Sequence, residues 1–158
     1  ATSSTSGFGD ASPKGEELGF VQVLDEHTLA IPDRPGNNRI DSMTNLIDNP
    51  KLGLIFLIPG VSETLRINGT AEIRDDAELC QRFEVNGKVP KTVLVISAKE
   101  VFLHCAKALI RSKLWEEASK ATERPIPTMS EMIRDQANMD IPLETETEMR
   151  ARYKDVLY

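Results

Sequence analysis

Residues 31–50 read IPDRPGNNRIDSMTNLIDNP and contain the strongest local signals in the chain. An extended piece over 28–31 stops at Pro32, and Pro35-Gly36 predicts a turn. A short amphipathic helix follows, with Asn37 or Asn38 as its cap, because an Asn side chain accepts a free backbone N–H. Pro50 cannot continue the helix and ends it. Helical spacing predicts one apolar face formed by Ile40, Met43, Thr44 and Ile47.

The start of this helix has an unusual charge. Arg39 lies in the predicted first turn and Arg34 lies just before it, whereas a helix start normally favours acidic residues. An arriving anion would reverse the balance, because free N–H groups and a guanidinium together bind phosphate. The alternative is a solvent-exposed turn whose arginines only increase solubility. The residues alone leave both interpretations open.

Composition limits the class of protein. The chain has 158 residues, enough for one domain with a real core, and a net charge of −6. With a pI near 5.0, this charge argues against a nucleic-acid partner.

The longest apolar run, 52–58, is too short to cross a bilayer, so no membrane partner is expected. Cys80 and Cys105 form no disulfide framework, and we expect a cytoplasmic protein. Because Met does not come first, we expect the chain to begin inside a longer gene product.

The remaining pattern predicts an α+β fold with about six short strands. The clearest strands are expected at 20–24, 28–31, 52–58, 63–73 and 92–105, the last being long or broken. The apolar run 52–58 favours a strand that is covered on both faces. Gly69 indicates a bulge or bend, as barrel corners require.

The opening Ala-Thr-Ser-Ser-Thr-Ser is either a disordered tail or a strand beside a bulky ligand. Strands joined by hairpins favour a small antiparallel barrel, and Thr128 to Glu131 predicts a capping box at the start of a C-terminal helix.

No catalytic constellation is visible. Cys105 follows His104 directly, and neighbouring strand residues point to opposite faces, which argues against a nucleophile–base pair. We expect Cys80 and Cys105 to be core residues and His104 to be buried and hydrogen-bonded. Two distant histidines predict no metal site. A protein of this kind can leave its chemistry to a cofactor, and a phosphorylated planar group suits the helix start at 38–39.

Five ordered motifs resemble one family. They are Ser-Pro-Lys-Gly at 12–15, Ile-Pro-Asp-Arg-Pro-Gly-Asn-Asn-Arg at 31–39, Asn-Pro-x-x-Gly-Leu-x-Phe at 49–56, Glu-Thr-Leu-Arg-x-Asn-Gly at 63–69 and His-Cys-Ala-Lys-Ala-Leu at 104–109. Together they resemble the pyridoxamine 5′-phosphate oxidase-like FMN-binding split-barrel family. The resemblance implies a six-stranded antiparallel split β-barrel with peripheral short helices, which forms a homodimer with FMN at the subunit interface. It covers residues 1–115, and we expect 116–158 to be a helical extension packed on the same domain.

The resemblance also implies which residues bind FMN. Ser12 and Lys14 would lie along the isoalloxazine edge, where a cation stabilises the reduced anionic ring. Asn38, Arg39 and Ser42 match the family's phosphate-binding helix start, to which we add Arg34 before it, and Thr64 matches a polar contact to the ring. Lys107, Arg111 and Trp115 would come from the partner subunit or close the cleft.

The reaction is left open by one departure from the family. The C-terminal Trp/Arg-rich segment that holds the substrate phosphate in true pyridoxamine phosphate oxidases has no match after Trp115. The resemblance therefore implies an FMN-dependent oxidoreductase of unknown substrate, with a non-catalytic flavin-binding or sensing module as the alternative. A third hypothesis is that the fold binds another planar cofactor, such as deazaflavin or haem.

Overall fold

The computed structural model describes residues 1–157, and the last residue of the predicted extension, Tyr158, lies outside them. Seven strands form one sheet in the order β2-β1-β5-β6-β7-β4-β3. All neighbouring pairs are antiparallel, which confirms the predicted α+β class with antiparallel strands. The strands are β1 Thr2–Ser3, β2 Gly9–Asp10, β3 Gln22–Asp25, β4 Thr28–Pro32, β5 Lys51–Phe56, β6 Thr64–Arg74 and β7 Val93–His104.

The strand count and the closure differ from the prediction of a six-stranded barrel. The Thr/Ser-rich opening forms the hairpin β1–β2, and of the two alternatives for 92–105, a long or a broken strand, the structure shows one long strand. The pairing of the described strands leaves β2 and β3 as the two edges of an open sheet. The opening segment is therefore a strand pair and not a tail, because Thr2 pairs with Leu52 of β5.

Gly69 lies at a break in register between β6 and β7, as predicted. Asn68 pairs with Glu100, whereas Gly69 pairs with Ala98, so Lys99 is the extra residue of a bulge. A Cβ added at Gly69 would overlap the backbone carbonyl oxygen of Ser97. Only glycine allows the two strands to approach this closely.

Apolar residues are buried on both faces of the sheet. One face and the helix α1, Asp41–Asp48, share the larger core, while the second face packs against α2, Ala77–Gln81. The larger core contains Ile31, Leu46, Leu52, Ala71, Leu94 and Ile96. The smaller core contains Ala30, Cys80, Phe83 and Val93. Cys80 is thus a core residue as predicted.

The predicted start and buried face of α1 are wrong. The helix begins at Asp41 after a left-handed Ile40, so neither Asn37 nor Asn38 is its cap, and Arg39 precedes the first turn. The buried side chains of the helix are Asn45 and Leu46, and not the predicted apolar face. Of that predicted face, Ile40 is 65% exposed, Ile47 is 81% exposed, Thr44 is exposed and Met43 is half-buried.

Two further burial predictions are wrong at the end of β7. Both His104 and Cys105 are exposed, although they follow an apolar strand. Ile55 of β5 is also exposed, so this strand is not covered on both faces within the protomer. Ile55 lies near the same end of β7, because it pairs with Arg66 and Arg66 pairs with Phe102.

The chain divides into two compact units, Ala1–Trp115 and Glu116–Tyr158. The helix α3, Lys107–Ser112, belongs to the first unit. The second unit contains a 3₁₀ turn, Glu117–Ser119, and the helices α4, Met129–Ala137, and α5, Glu146–Val156. Both of these helices begin with a capping box, at Thr128–Glu131 as predicted and again at Thr145–Glu148. The packing of this extension on the first unit stays a prediction.

Candidate functional site

Lys14 and Arg34 belong to two neighbouring ion pairs. Asp33, the partner of Lys14, and Arg34 itself are the first two residues after β4. The Nζ of Lys14 is 3.2 Å from Oδ1 of Asp33, and both side chains are about one-third exposed. The Nε of Arg34 donates to Oε1 of Glu16 at 2.9 Å, and its Nη2 donates to the carbonyl oxygen of Phe83 at 2.6 Å. With its side chain only 9% exposed, Arg34 ties the loop after β2 to the chain that follows α2. Two of the predicted site residues are therefore close to each other.

The backbone around Arg39 has an unusual conformation. Asn38 and Ile40 both have positive φ, 57° and 49°, and α1 begins directly afterwards. A β-branched residue such as Ile rarely adopts the left-handed region, and such outliers are concentrated at functional sites. Within the segment, the backbone N–H of Arg39 donates to Oδ1 of Asn37 at 3.1 Å. The half-buried Ser42 is the second residue of the helix, where N–H groups have no partner within the helix.

Arg39 is the accessible cation of this segment. Its side chain is 70% exposed, and its Nε donates to Oδ2 of Asp41 at 2.8 Å. The hydrogen bond with Asp41 and that residue's charge raise the pKa of Arg39, and Asp10 adds a smaller effect in the same direction. The guanidinium is thus charged and held loosely by one carboxylate. An anion of higher charge could take the place of Asp41.

The hairpin β1–β2 is fastened to α1 by polar side chains. The buried Asn45 donates through Nδ2 to Oγ1 of Thr2 at 3.2 Å and to Oδ2 of Asp10 at 2.7 Å. Asp48 accepts bonds from the backbone N and the Oγ1 of Thr5, at 2.6 and 2.8 Å. These bonds, the backbone one first, lower the pKa of Asp48. The hairpin therefore fixes the position of α1, and so of the segment that leads into it.

A second group of predicted site residues surrounds the end of β7. Thr64 is buried at the start of β6 and pairs with His104. The indole Nε1 of Trp115 donates to the carbonyl oxygen of Val61 at 2.8 Å, which attaches the chain after α3 to the loop before β6. The two cations of this group, Lys107 and Arg111, are exposed on α3.

The two groups lie at opposite ends of β7. Pro32, two residues before Arg34, pairs with Val93 at the start of β7, whereas Thr64 pairs with His104 at its end. The 12 residues of the strand correspond to about 36–40 Å along its path, at about 3.3 Å per residue. Within one protomer, the structure therefore brings Lys14 and Arg34 together but keeps them apart from Thr64 and Trp115. Ser12 is exposed in the loop between β2 and β3 and precedes Lys14 by two residues.

The end of the first unit that contains the second group is strongly apolar at its surface. We call this surface the apolar end. It consists of the exposed side chains of Ile55, Leu57, Ile58, Val61, Val101, Leu103, Ile110 and Leu114. Beside it, the guanidinium of Arg66 lies 5.0 Å from the centre of the Phe102 ring. The apolar end includes both faces of the strands, because Ile55 is in register with Phe102, whose side chain points to the opposite face from those of Val101 and Leu103.

Sequence reasoning missed the carboxylates that accompany the predicted cations. Asp33, Glu16 and Asp41 each bind one of them, yet only Asp41, two residues after Arg39, carried a local signal. It also missed Asn45, because an Asn inside a helix is normally assigned to the solvent side. No group of three or more His, Cys, Asp or Glu side chains in the described part of the chain is arranged to hold a metal ion. Among residues 1–157, no helix combines the length and the apolar character that a bilayer crossing requires.

Comparison with known proteins identifies the family. The model of the pyridoxamine 5′-phosphate oxidase family matches residues 1–105. The chain therefore belongs to this family, which confirms the resemblance inferred from the five motifs. A comparison with curated proteins found no match.

Solved structures show the same fold. The chain is 24% identical to HupZ of Group A Streptococcus, with a TM-score of 0.51 over 65% of this chain and 79% of that chain. A variant of the same protein matches with the same identity and TM-score, over 65% of this chain and 85% of that chain. At this level of identity, the similarity concerns the fold alone.

Proposed function

We propose that this chain is an FMN-binding flavoprotein that acts as an oxidoreductase, with two FMN sites at the interface of a homodimer. Membership of the pyridoxamine 5′-phosphate oxidase family supports the cofactor class. The observation that carries the proposal is the backbone of residues 38–42, in which two left-handed residues enclose Arg39 directly before a helix. An exposed guanidinium, the unpaired N–H groups of a helix start and a serine in the first turn are groups that bind a phosphate ester.

The residues present fit the phosphate end of FMN. Arg39 and the N–H groups of 40–42 would hold the phosphate, with Ser42 donating its hydroxyl. Lys14 would lie nearer to the ring, where its charge stabilises electron density that develops on the ring oxygen. Asp33, 3.2 Å from Lys14, holds that ammonium in place. Bound FMN would supply a ring that accepts or donates a hydride, while the protein supplies position and charge.

The dimer follows from the separation of the two groups. If one FMN touches both Lys14 and the residues around Trp115, those residues belong to different copies of the chain, since they lie at opposite ends of β7 within one copy. Lys107 and Arg111 of the second copy would then approach the ring of the first. The apolar end gives a second copy a surface to cover.

The cellular location is part of the same proposal. Both cysteines are free thiols, one of them exposed at Cys105. Such thiols persist in a reducing compartment, which supports a cytoplasmic location.

The absorption spectrum of the purified protein tests the cofactor. We expect a yellow protein with the bands of oxidised flavin, and FMN as the flavin that heat releases. A colourless protein that does not bind added FMN would overturn the proposal. A haem or deazaflavin spectrum would replace it with the third hypothesis.

Flavin bleaching under anaerobic conditions tests the reaction. A panel of nicotinamide donors and small oxidisable amines should include a compound that reduces the bound flavin. Bound FMN that no compound in the panel reduces would favour the non-catalytic flavin-binding module.

A further inference from the structure

The chain contains the dipeptide Asn-Gly twice, in two different environments. Asn68–Gly69 lies inside β6, and Asn86–Gly87 lies in the turn between α2 and β7. An Asn that precedes Gly is the most easily deamidated asparagine, because glycine leaves the following backbone nitrogen sterically open. The two sites therefore form a comparison within one molecule.

The Asn86–Gly87 site is open to solvent. Both residues are exposed, and both have positive φ, 51° and 75°. This is the conformation that a two-residue turn requires. The turn is closed by two backbone bonds between Val85 and Lys88, at 3.1 and 2.9 Å. A Cβ added at Gly87 would meet no atom within 4 Å, so no other part of the chain packs against this side of the glycine.

The Asn68–Gly69 site is held on all sides. The Nδ2 of Asn68 donates to Oε2 of Glu100 at 2.8 Å. Gly69 pairs with Leu52 of β5 and with Ala98 of β7, so strands flank it on both sides. The rotation that a ring closure requires would separate three strands in the middle of the sheet.

We propose that Asn86 is a site of spontaneous deamidation and that Asn68 is protected by the fold. The backbone nitrogen of Gly87 attacks Cγ of Asn86, so that a new N–Cγ bond forms and the Cγ–Nδ2 bond breaks. Ammonia leaves with the proton of the Gly87 N–H, and a cyclic imide remains. Water then opens the imide at either carbonyl and yields aspartate or isoaspartate at position 86.

The difference in rate arises from local opening. An exposed turn opens at a small free energy, whereas a central strand opens only at a free energy close to that of global unfolding. A difference of only 1.4 kcal/mol between the opening free energies of the two sites already gives a tenfold ratio between their deamidation rates. We therefore expect Asn86 to deamidate at least about tenfold faster than Asn68 in the folded protein.

The modification would act on a segment that supports the first unit. Isoaspartate inserts an additional backbone atom into the turn and would break the pairing of Val85 with Lys88. Phe83, two residues before Val85, is buried in the smaller core, and its carbonyl oxygen accepts the bond from Arg34. Deamidation at Asn86 should therefore lower the stability of this region, whether or not a cofactor is bound.

The test is peptide mapping of the full chain after incubation in mildly alkaline buffer, with aspartate and isoaspartate quantified by mass spectrometry at both sites. Hydroxylamine, which cleaves the imide, provides a second measurement and should cut the folded chain between 86 and 87. In urea, the two sites should react at similar rates, because both are then unfolded.

Two outcomes would overturn the proposal. One is an unmodified Asn86 in the folded protein under conditions in which it reacts in urea. The other is equal reaction of Asn68 and Asn86 in the folded protein, since the sheet would then give no protection.

Discussion

Residues 38–41 combine two left-handed backbone conformations with an exposed ion pair. A left-handed conformation costs an L-residue about 1–2 kcal/mol, and Ile is among the least suited to it. Ile40 is mostly exposed, so its side chain gains little from burial in the protomer. The strain is therefore consistent with a role of this backbone in binding, although the residue type alone would not predict it.

Replacing Arg39 by Ala should weaken FMN binding. The loss of one charge-assisted hydrogen bond to the phosphate reduces affinity roughly ten- to hundredfold. Flavin fluorescence quenching measures the Kd. The matched control is Arg74→Ala, because Arg74 forms the same type of exposed pair with Asp76, also at 2.8 Å. Equal affinity for FMN in the Arg39→Ala variant and the wild type would place the phosphate elsewhere.

Replacing Ile40 by Gly should stabilise the protein. Relief of the left-handed strain exceeds the entropy cost of glycine, which leaves a net gain of about 0.5–1 kcal/mol in the free energy of unfolding. Denaturant unfolding of the flavin-free protein measures this difference. The same change at Ile47, an exposed position inside α1, should instead destabilise by roughly 0.5 kcal/mol because of helix propensity. A loss of stability at both positions would contradict the assigned backbone conformation.

At the scale of elements, β6 and β7 form the longest pairing of the sheet, and the bulge at Gly69 divides it into two parts. Residues 93–97 of β7 pair with β4 and contribute Val93, Leu94 and Ile96 to the cores, whereas residues 100–104 extend to the apolar end. The bulge increases the local twist and redirects the strand. Beyond the bulge, Thr64 is still buried, whereas its pairing partner His104 is exposed.

Replacing Gly69 by Ala should destabilise the first unit. The added methyl group would overlap the carbonyl oxygen of Ser97, which is backbone and cannot rotate away. We expect a loss of about 1–3 kcal/mol in unfolding free energy, the usual scale of overpacking. Gly9→Ala is the control, since no atom lies within 4 Å of a Cβ at that strand position, and it should change stability by less than about 0.5 kcal/mol. Similar effects of the two substitutions would argue against the bulge.

The helices α4 and α5 depend on ionised carboxylates at their starts. Glu131 accepts hydrogen bonds from the backbone N–H and the hydroxyl of Thr128, and Glu148 accepts the same two bonds from Thr145. These bonds lower the pKa of both carboxyls, and the backbone bond has the larger effect. A carboxyl whose pKa is lower in the folded than in the unfolded chain stabilises the folded state. This stabilisation is fully present above the pKa of the unfolded chain, near 4.3, and is lost as the pH falls through the pKa of the folded chain.

Acid should therefore loosen the starts of both helices. Amide NMR shifts of Thr128 and Thr145 should move as pH falls below about 4.3. Glu131→Gln keeps a capping partner without a titrating group, so the shift of Thr128 should become independent of pH while that of Thr145 does not. Unchanged titration at Thr128 in this variant would refute the assignment of the effect to Glu131.

At the scale of the whole molecule, the apolar end is an exposed surface of the first unit. The predicted covering of residues 52–58 on both faces fails in the protomer, because Ile55 is exposed. A second copy would bury this surface and would bring its own Lys107, Arg111 and Trp115 toward the loop that contains Lys14. Dimer formation and FMN binding would then be coupled.

If the proposed dimer uses the apolar end, replacing Leu103 by Glu should convert it to a monomer and abolish most of the proposed FMN binding. The side chain is 73% exposed in the protomer, so the charge disturbs the fold little but would be buried without a partner in the dimer. Sedimentation and the flavin spectrum measure the two effects. Val23→Glu is the control, because Val23 is a strand residue with 72% exposure at the other side of the sheet. A flavin-loaded monomer would separate the cofactor from the dimer and refute the shared site.

The amino-acid sequence by itself determined the features that depend on neighbouring residues. These are the hairpin formed by the strands predicted at 20–24 and 28–31, the end of α1 before Pro50, the bulge at Gly69 and the capping box at Thr128, together with the family motifs. Turn, cap and bulge chemistry acts over two to four residues, so a local pattern contains the whole cause.

Only the tertiary structure decided which face of α1 is buried and where its helix begins. The buried Asn45 bonds to Thr2, which lies 43 residues earlier in the chain. The carboxylate of Glu16 that binds Arg34 lies 18 residues away. The exposure of His104 and the separation of Lys14 from Trp115 likewise depend on how the strands pair. Burial and ion pairing are determined by distant partners, because a side chain's environment is made by the elements that pack against it and not by its own periodicity.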